Sequence, residues 1–248
     1  MSASVSSVSD RDKELSLVQH LGEFRNRLMV ASIAVVITTA ISFAFTTDII
    51  RFLILPAGEG LKLASFSPTE NFTTYMRVAL FSGIAFAMPV LLYEIYAYID
   101  PALHPHERRF ALTLGPFILL LFLGGMAFCY FLMLPNALHF LLGFASDVFD
   151  NQLRASEYIG FVTTFILGMG LIFEMPVLIY ALIRVGAVSR AWLSKQRRYV
   201  FLLSFIVAAI ATPTPDPFNQ SLVAIPIYLL FEVGLFLGRF GGGRPAAA

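Results

Sequence analysis

The chain has 248 residues, 58% of them hydrophobic and only 13% charged, with a net charge of +1 and a mean hydropathy of +0.78. Soluble domains are about 45–50% apolar and about 25% charged, so this composition excludes a water-soluble globular protein and indicates a polytopic membrane protein. The single cysteine, Cys129, excludes an intrachain disulfide or a cysteine-based metal site.

Residues 1–15 read as a flexible cytoplasmic N-terminus, polar and without the apolar stretch of a cleavable signal. Ser16-Leu-Val-Gln19 has the form of a capping box that opens a helix. On it Leu17, Leu21, Phe24 and Leu28 recur at i, i+4, i+7 and i+11, one apolar stripe. This helix is expected to lie along the interface before turning into the membrane. One membrane domain then covers 16–238, with a cytoplasmic tail at 239–248.

Six apolar runs lie in that domain, at approximately 28–47, 76–98, 110–134, 158–183, 199–212 and 219–237. The first four match the roughly 17–25 residues needed to cross about 30 Å of hydrocarbon. The fifth reaches only about 21 Å at 1.5 Å per residue. The final pair can be two short spans in a thinned membrane, a re-entrant hairpin, or a pair extended by polar ends. The turn Thr212-Pro-Thr-Pro-Asp-Pro217 favours two short spans. The predicted fold is all-α, with six transmembrane helices of which the last two are short.

Between the first two runs, Ser67-Pro-Thr-Glu70 is a helix start, with Ser67 as N-cap, Pro68 at N1 and Glu70 at N3. Gly83, Pro89, Gly168, Gly170 and Pro176 fall inside helices and permit bends. No internal repeat is visible, which weighs against an inverted-repeat transporter. Thirteen of the 17 Lys and Arg residues fall in the N-terminus, the second-to-third and fourth-to-fifth connections, and the tail. The positive-inside rule therefore places both termini in the cytoplasm.

No metalloprotease, nucleophile-elbow or P-loop motif is present, and neither a cofactor, a metal nor a nucleic-acid partner is expected. His104 and His106, on a cytoplasmic connection, make a poor metal site by themselves. His139, near the start of the second external connection, reads as structural. Acidic residues are more informative. Glu23 stands four residues before Arg27, a favourable helical pairing, and Glu107 lies in Pro101-Ala-Leu-His-Pro-His-Glu-Arg-Arg109. Each is either a local charge partner or part of a site for a cationic peptide, whose guanidinium groups pair bidentately with carboxylates. Glu174, in Leu171-Ile-Phe-Glu-Met-Pro-Val177, bears a cost of roughly 2.5–3.5 kcal/mol if ionised at the bilayer centre. It reads either as functional or as a helix-contact residue. Thr212 and Gln220 can reach a similar depth, Asp216 caps the following helix, and Glu94 and Glu232 rank lower because they lie near helix ends.

These residues together resemble the TatC family, the multispanning subunit of the twin-arginine protein translocase. His20-Leu-Gly-Glu-Phe-Arg-Asn-Arg-Leu28 is similar to the family's H-L-x-E-L-R-x-R-L opening. Ser67-Pro-Thr-Glu70, Pro101–Arg109, Phe173-Glu-Met-Pro176, Thr212-Pro-Thr-Pro-Asp216 and Ile225-Pro-Ile-Tyr-Leu-Leu-Phe-Glu-Val-Gly234 follow in the family's order. The resemblance implies a receptor rather than an enzyme. It would bind twin-arginine signal peptides of folded precursors, recruit TatA- and TatB-type single-span subunits, self-associate within membrane lipid, and use the proton-motive force. It also implies that Glu23 and Glu107 form the signal-peptide site, with Tyr98 and Pro101 beside it and His20 and Arg25 from the same opening motif. Glu174, Thr212, Gln220 and Asp216 would be the intramembrane polar positions that meet partner subunits. Departures from the family pattern are Phe24 for Leu, Tyr98 for Phe, and Thr214 between the two prolines of the usual T-P-P-D turn. The implied location is the bacterial inner membrane, since no long transit segment precedes Ser16. The rival reading is a proton-coupled small-molecule transporter with Glu174 as its titrating carboxylate.

Overall fold

A computed structural model describes residues 6–58, 63–99, 105–144, 153–212 and 216–240, with side chains from residue 21 onward apart from 99 and 105–114. Apolar segments in lipid must bond their own backbones, and the described chain is accordingly helical. Its helices are α1 (Ser6–Ile54), α2 (Pro68–Ile99), α3 (Pro105–Phe128), α4 (Leu134–Gly143), α5 (Ala155–Ile172), α6 (Met175–Arg184), α7 (Arg190–Lys195), α8 (Arg197–Ala211) and α9 (Pro217–Leu237). A π-helical turn, Cys129–Met133, joins α3 to α4 without a break. Among the described residues the extended pairing is one bridge, Ala64 with Arg154.

Among the described residues five stretches are long and apolar enough to cross a membrane: Leu21–Ala57, Pro68–Tyr98, Gly115–Gly143, Ala155–Arg184 and Pro217–Leu237. At 15 residues α8 is about 22 Å long, short of the hydrocarbon thickness. The sixth run, expected to be short, is instead a 21-residue helix. Asp216 caps it and Pro217 occupies its first turn, so it starts ahead of the expected residue 219.

Two other expectations need correction. The predicted turn between an interfacial helix and the first span is absent: α1 is continuous and starts at Ser6, not Ser16. It contains no proline and only Gly22 as a glycine, and one glycine costs about 1 kcal/mol, too little to break a 49-residue helix. The third run continues through the π turn to Gly143, so His139 lies within α4 and not in a connection. The fourth run remains one apolar stretch, interrupted at Phe173–Glu174 beside Pro176, where a bend was permitted. There Glu174 N bonds Leu171 O, a tightened turn, and Pro176 has no amide to give to the ladder.

The core centres on α5. Ile159, Val162 and Met169 are essentially buried, against Met133 and Leu134 on one side and Val223 on the other. α1 packs chiefly along α2, and α9 along α6 and α8. Without a hydrophobic driving force between helices in lipid, close approach is what holds such a bundle. At the α3–α5 seam Gly125 supplies it. A Cβ there would lie 2.7 Å from Met169 O and 2.7 Å from Phe173 Cγ. Gly125→Leu is therefore expected to force α3 from α5 and lower Tm in detergent by several degrees, the signature of overpacking worth about 1–3 kcal/mol.

Candidate functional site

Two groups of charged side chains stand at opposite ends of the bundle, and a carboxylate lies between them. At the end where α2 finishes, α1 and α2 bring together Glu23, Arg27 and Glu94. Arg27 Nη1 donates to Glu94 Oε2 at 3.2 Å, and its Nη2 donates to Glu23 Oε1 at 3.3 Å. The Glu94 side chain is 10% exposed, whereas those of Glu23 and Arg27 are each 33% exposed. Glu94 is thus the anchored partner and Glu23 the accessible one. Beside them the rings of Phe24 and Tyr98 meet edge to face with centroids 5.5 Å apart.

Helical spacing explains this grouping. Glu23 and Arg27 are one turn apart on α1, and Glu94 and Tyr98 one turn apart on α2, so each helix presents a short stripe to the other. Arg25, two residues from Glu23, is exposed on a different side of α1. The backbone of Glu107 lies in the first turn of α3. The side chains of His20 and Glu107, and all of Pro101, fall outside the described residues. On sequence alone Glu94 ranks low as a residue near a helix end. Its i, i+4 relation to Tyr98 on the same face is the signal that could have raised it.

At the other end Glu70 is 4% exposed and accepts four hydrogen bonds: from Phe66 N, Arg154 Nε, Ser156 N and Ser156 Oγ, at 2.7–3.1 Å. The residue expected at N3 of α2, with Ser67 as N-cap, is therefore also a link to the first turn of α5. Sequence reading missed this role, since Arg154 and Ser156 lie more than eighty residues away.

Glu174 occupies the break between α5 and α6. Its residue is 7% exposed, and its Oε1 is buried with no hydrogen-bond partner. The other intramembrane candidates are satisfied locally. Thr212 Oγ1 donates to Ala208 O, Gln220 Nε2 donates to Phe205 O across α8 and α9, and both Asp216 oxygens accept from Asn219. Asp216 is thus the helix cap expected of it. Thr214 lies outside the described residues. Near the end shared with Glu23, Arg197 forks onto Glu232 at 2.8 Å and Tyr228 donates to the same carboxylate, fastening α8 to α9.

A half-exposed carboxylate held by one arginine can exchange that partner for another guanidinium; a buried carboxylate with a free oxygen can receive a donor from a neighbouring helix. Comparisons with known proteins fit this chemistry. The family model of TatC, the Sec-independent protein translocase protein, matches residues 19–226. The chain is 35% identical to the Sec-independent protein translocase protein TatC of Carboxydothermus hydrogenoformans over 230 residues, covering 92% of this chain and 95% of that one. It is 36% identical to the TatC of Aquifex aeolicus, covering 91% and 95% respectively. A crystal structure of the twin-arginine translocase receptor TatC superposes with a TM-score of 0.81 at 36% identity, over 90% of this chain and 99% of that one. The same receptor in DDM gives a TM-score of 0.82 at 37% identity, over 88% and 99%. With its apolar spans and the match over most of its length, the chain is a multi-pass membrane protein that belongs to the TatC family of Sec-independent protein translocase proteins.

Proposed function

We propose that this protein is the twin-arginine signal-peptide receptor and core subunit of a Tat translocase, exporting folded proteins across a bacterial inner membrane at the expense of the proton-motive force. Six crossings with both termini in the cytoplasm put the Glu23 end of the bundle on the side from which precursors arrive. The observation that carries the reading is the Glu23–Arg27–Glu94 cluster. Glu23 is already a guanidinium acceptor, accessible to solvent, and its present partner is retained by the better-buried Glu94 when an incoming arginine displaces it. Glu107, on the next helix, is assigned the second arginine, with Tyr98 and Pro101 flanking the peptide and His20 and Arg25 at its edge. A carboxylate pair orients two guanidinium groups by geometry as well as by charge.

Glu174, with Thr212, Gln220 and Asp216 at neighbouring helix ends, is assigned to contacts with TatA- and TatB-type single-span subunits. Self-association of the receptor follows the same membrane-embedded logic. The test is site-specific crosslinking of a twin-arginine precursor to membranes carrying Glu23→Gln or Glu107→Gln. Crosslinking is expected to fall to background in both while membrane insertion stays normal. Undiminished crosslinking in both would reject the receptor reading.

A further inference from the structure

Away from the polar groups, a cavity of about 350 Å³ opens between α1, α2, α3 and α5. Leu53, Val78, Tyr130 and Ile166 form its buried floor. Its three hydroxyls are all spent, Ser82 Oγ on Val78 O, Thr163 Oγ1 on Ile159 O and Tyr130 on Phe52 O, so the lining offers an occupant nothing polar. The π turn rotates Tyr130 inward, where its ring stacks on Phe52 at 4.2 Å and its hydroxyl donates to Phe52 O. Phe86 and Phe131, 63% and 72% exposed, form a rim facing the surroundings of the bundle.

A cation stands at the end of this cavity nearer Glu70. Arg77 precedes the wall residue Val78 on α2, is exposed, and lays its guanidinium across Gly160 of α5, with Nη1 donating to Ser156 O at 3.1 Å. A Cβ at residue 160 would collide with that nitrogen. Gly160 is one turn from Thr163 in the cavity wall, so the charge caps the same α2–α5 groove that the cavity continues. Four guanidinium N–H groups beyond the one bonded to Ser156 remain for an anion. Tyr158, two residues along α5 from Ser156, donates its hydroxyl to Leu53 O in the last turn of α1, so Arg77 stands by the end of that helix.

We propose that the cavity holds an acyl chain of one phospholipid, from the leaflet at the Glu70 end, with its phosphate on Arg77. An apolar cavity of about 150 Å³ takes a six-carbon ring, so this one has room for roughly a dozen methylenes. Around the Phe86–Phe131 rim the bilayer supplies chains at high concentration. An exposed arginine above an apolar cavity matches a phosphate joined to an alkyl chain, and not a neutral apolar helix.

The full chain, purified in mild detergent and exchanged with vesicles of palmitoyl-oleoyl phosphatidylglycerol and phosphatidylcholine, is expected to carry one retained phospholipid in native mass spectrometry. Arg77→Gln should lower retention about tenfold, the loss expected for one charge-assisted contact. Ala85→Phe, which fills the cavity, should abolish it. Unchanged retention in Arg77→Gln overturns the proposal, and because that position is exposed the variant decides even if Ala85→Phe fails to fold. A photo-crosslinking side chain at Phe86 should give a lipid adduct in cells; a protein adduct in its place would equally overturn it.

Discussion

Glu23→Gln is expected to leave Tm within about 2 °C of the parent while weakening a twin-arginine peptide by about tenfold or more. The two halves of that result have separate causes. Glu23 and Arg27 are an i, i+4 pair with a third of each side chain in solvent, a class of ion pair that contributes little to stability. As an acceptor for an incoming guanidinium, however, the carboxylate supplies a charge-assisted bond that glutamine reproduces poorly. Anisotropy of a labelled peptide on the protein in lipid nanodiscs reads the affinity; thermal unfolding of the same sample reads stability. Equal peptide affinity in parent and variant would remove Glu23 from the site.

Arg27→Gln has the opposite profile in stability. Glu94 is the less exposed member of the cluster, and loss of Arg27 leaves its charge without a counter-ion between α1 and α2. A drop of several degrees in Tm is expected, largely recovered in the Arg27→Gln/Glu94→Gln double variant, because the pair is removed together. Non-recovery would mean that Arg27 acts through packing of its stem and not through the charge.

Much of this architecture is legible in the sequence because lipid enforces it. Each apolar run must satisfy its own backbone, so the runs become helices, and Asp216 and Pro217 start α9 as their chemistry requires. What escapes is long-range and depends on which face of a helix meets which neighbour. Glu94 looks like a residue near a helix end until α1 is laid beside α2. Glu70 looks like a local helix-start residue until Arg154 and Ser156 arrive from more than eighty residues along the chain. The continuity of α1 escapes for another reason: an amphipathic stripe argues for an interface, but a strong breaker makes a helix turn, and α1 holds only Gly22. The π turn at Cys129–Met133 carries no sequence signal at all, yet it sets the inward ring of Tyr130.

The same distinction between cost and use governs Glu174, where the largest effect on function is expected. Its Oε1 is buried without a partner, and a buried polar atom left unpaired costs about 1–3 kcal/mol, which offsets what the carboxylate gains from its bond to the Phe122 backbone. Glu174→Leu should therefore fold at least as well as the parent, with an equal or higher Tm. Its expected failure is in assembly: co-purification of TatA- or TatB-type subunits, and export of a folded twin-arginine precursor, should fall to background. Glu174→Gln separates two ways of failing. If a neighbouring helix needs only an acceptor at this break in the α5–α6 segment, glutamine restores co-purification; if it needs the charge or the proton, glutamine behaves like leucine. Normal assembly and export in Glu174→Leu would sink the docking role altogether. A Tm falling by several degrees with assembly intact would return Glu174 to a structural part in the α3–α5 seam.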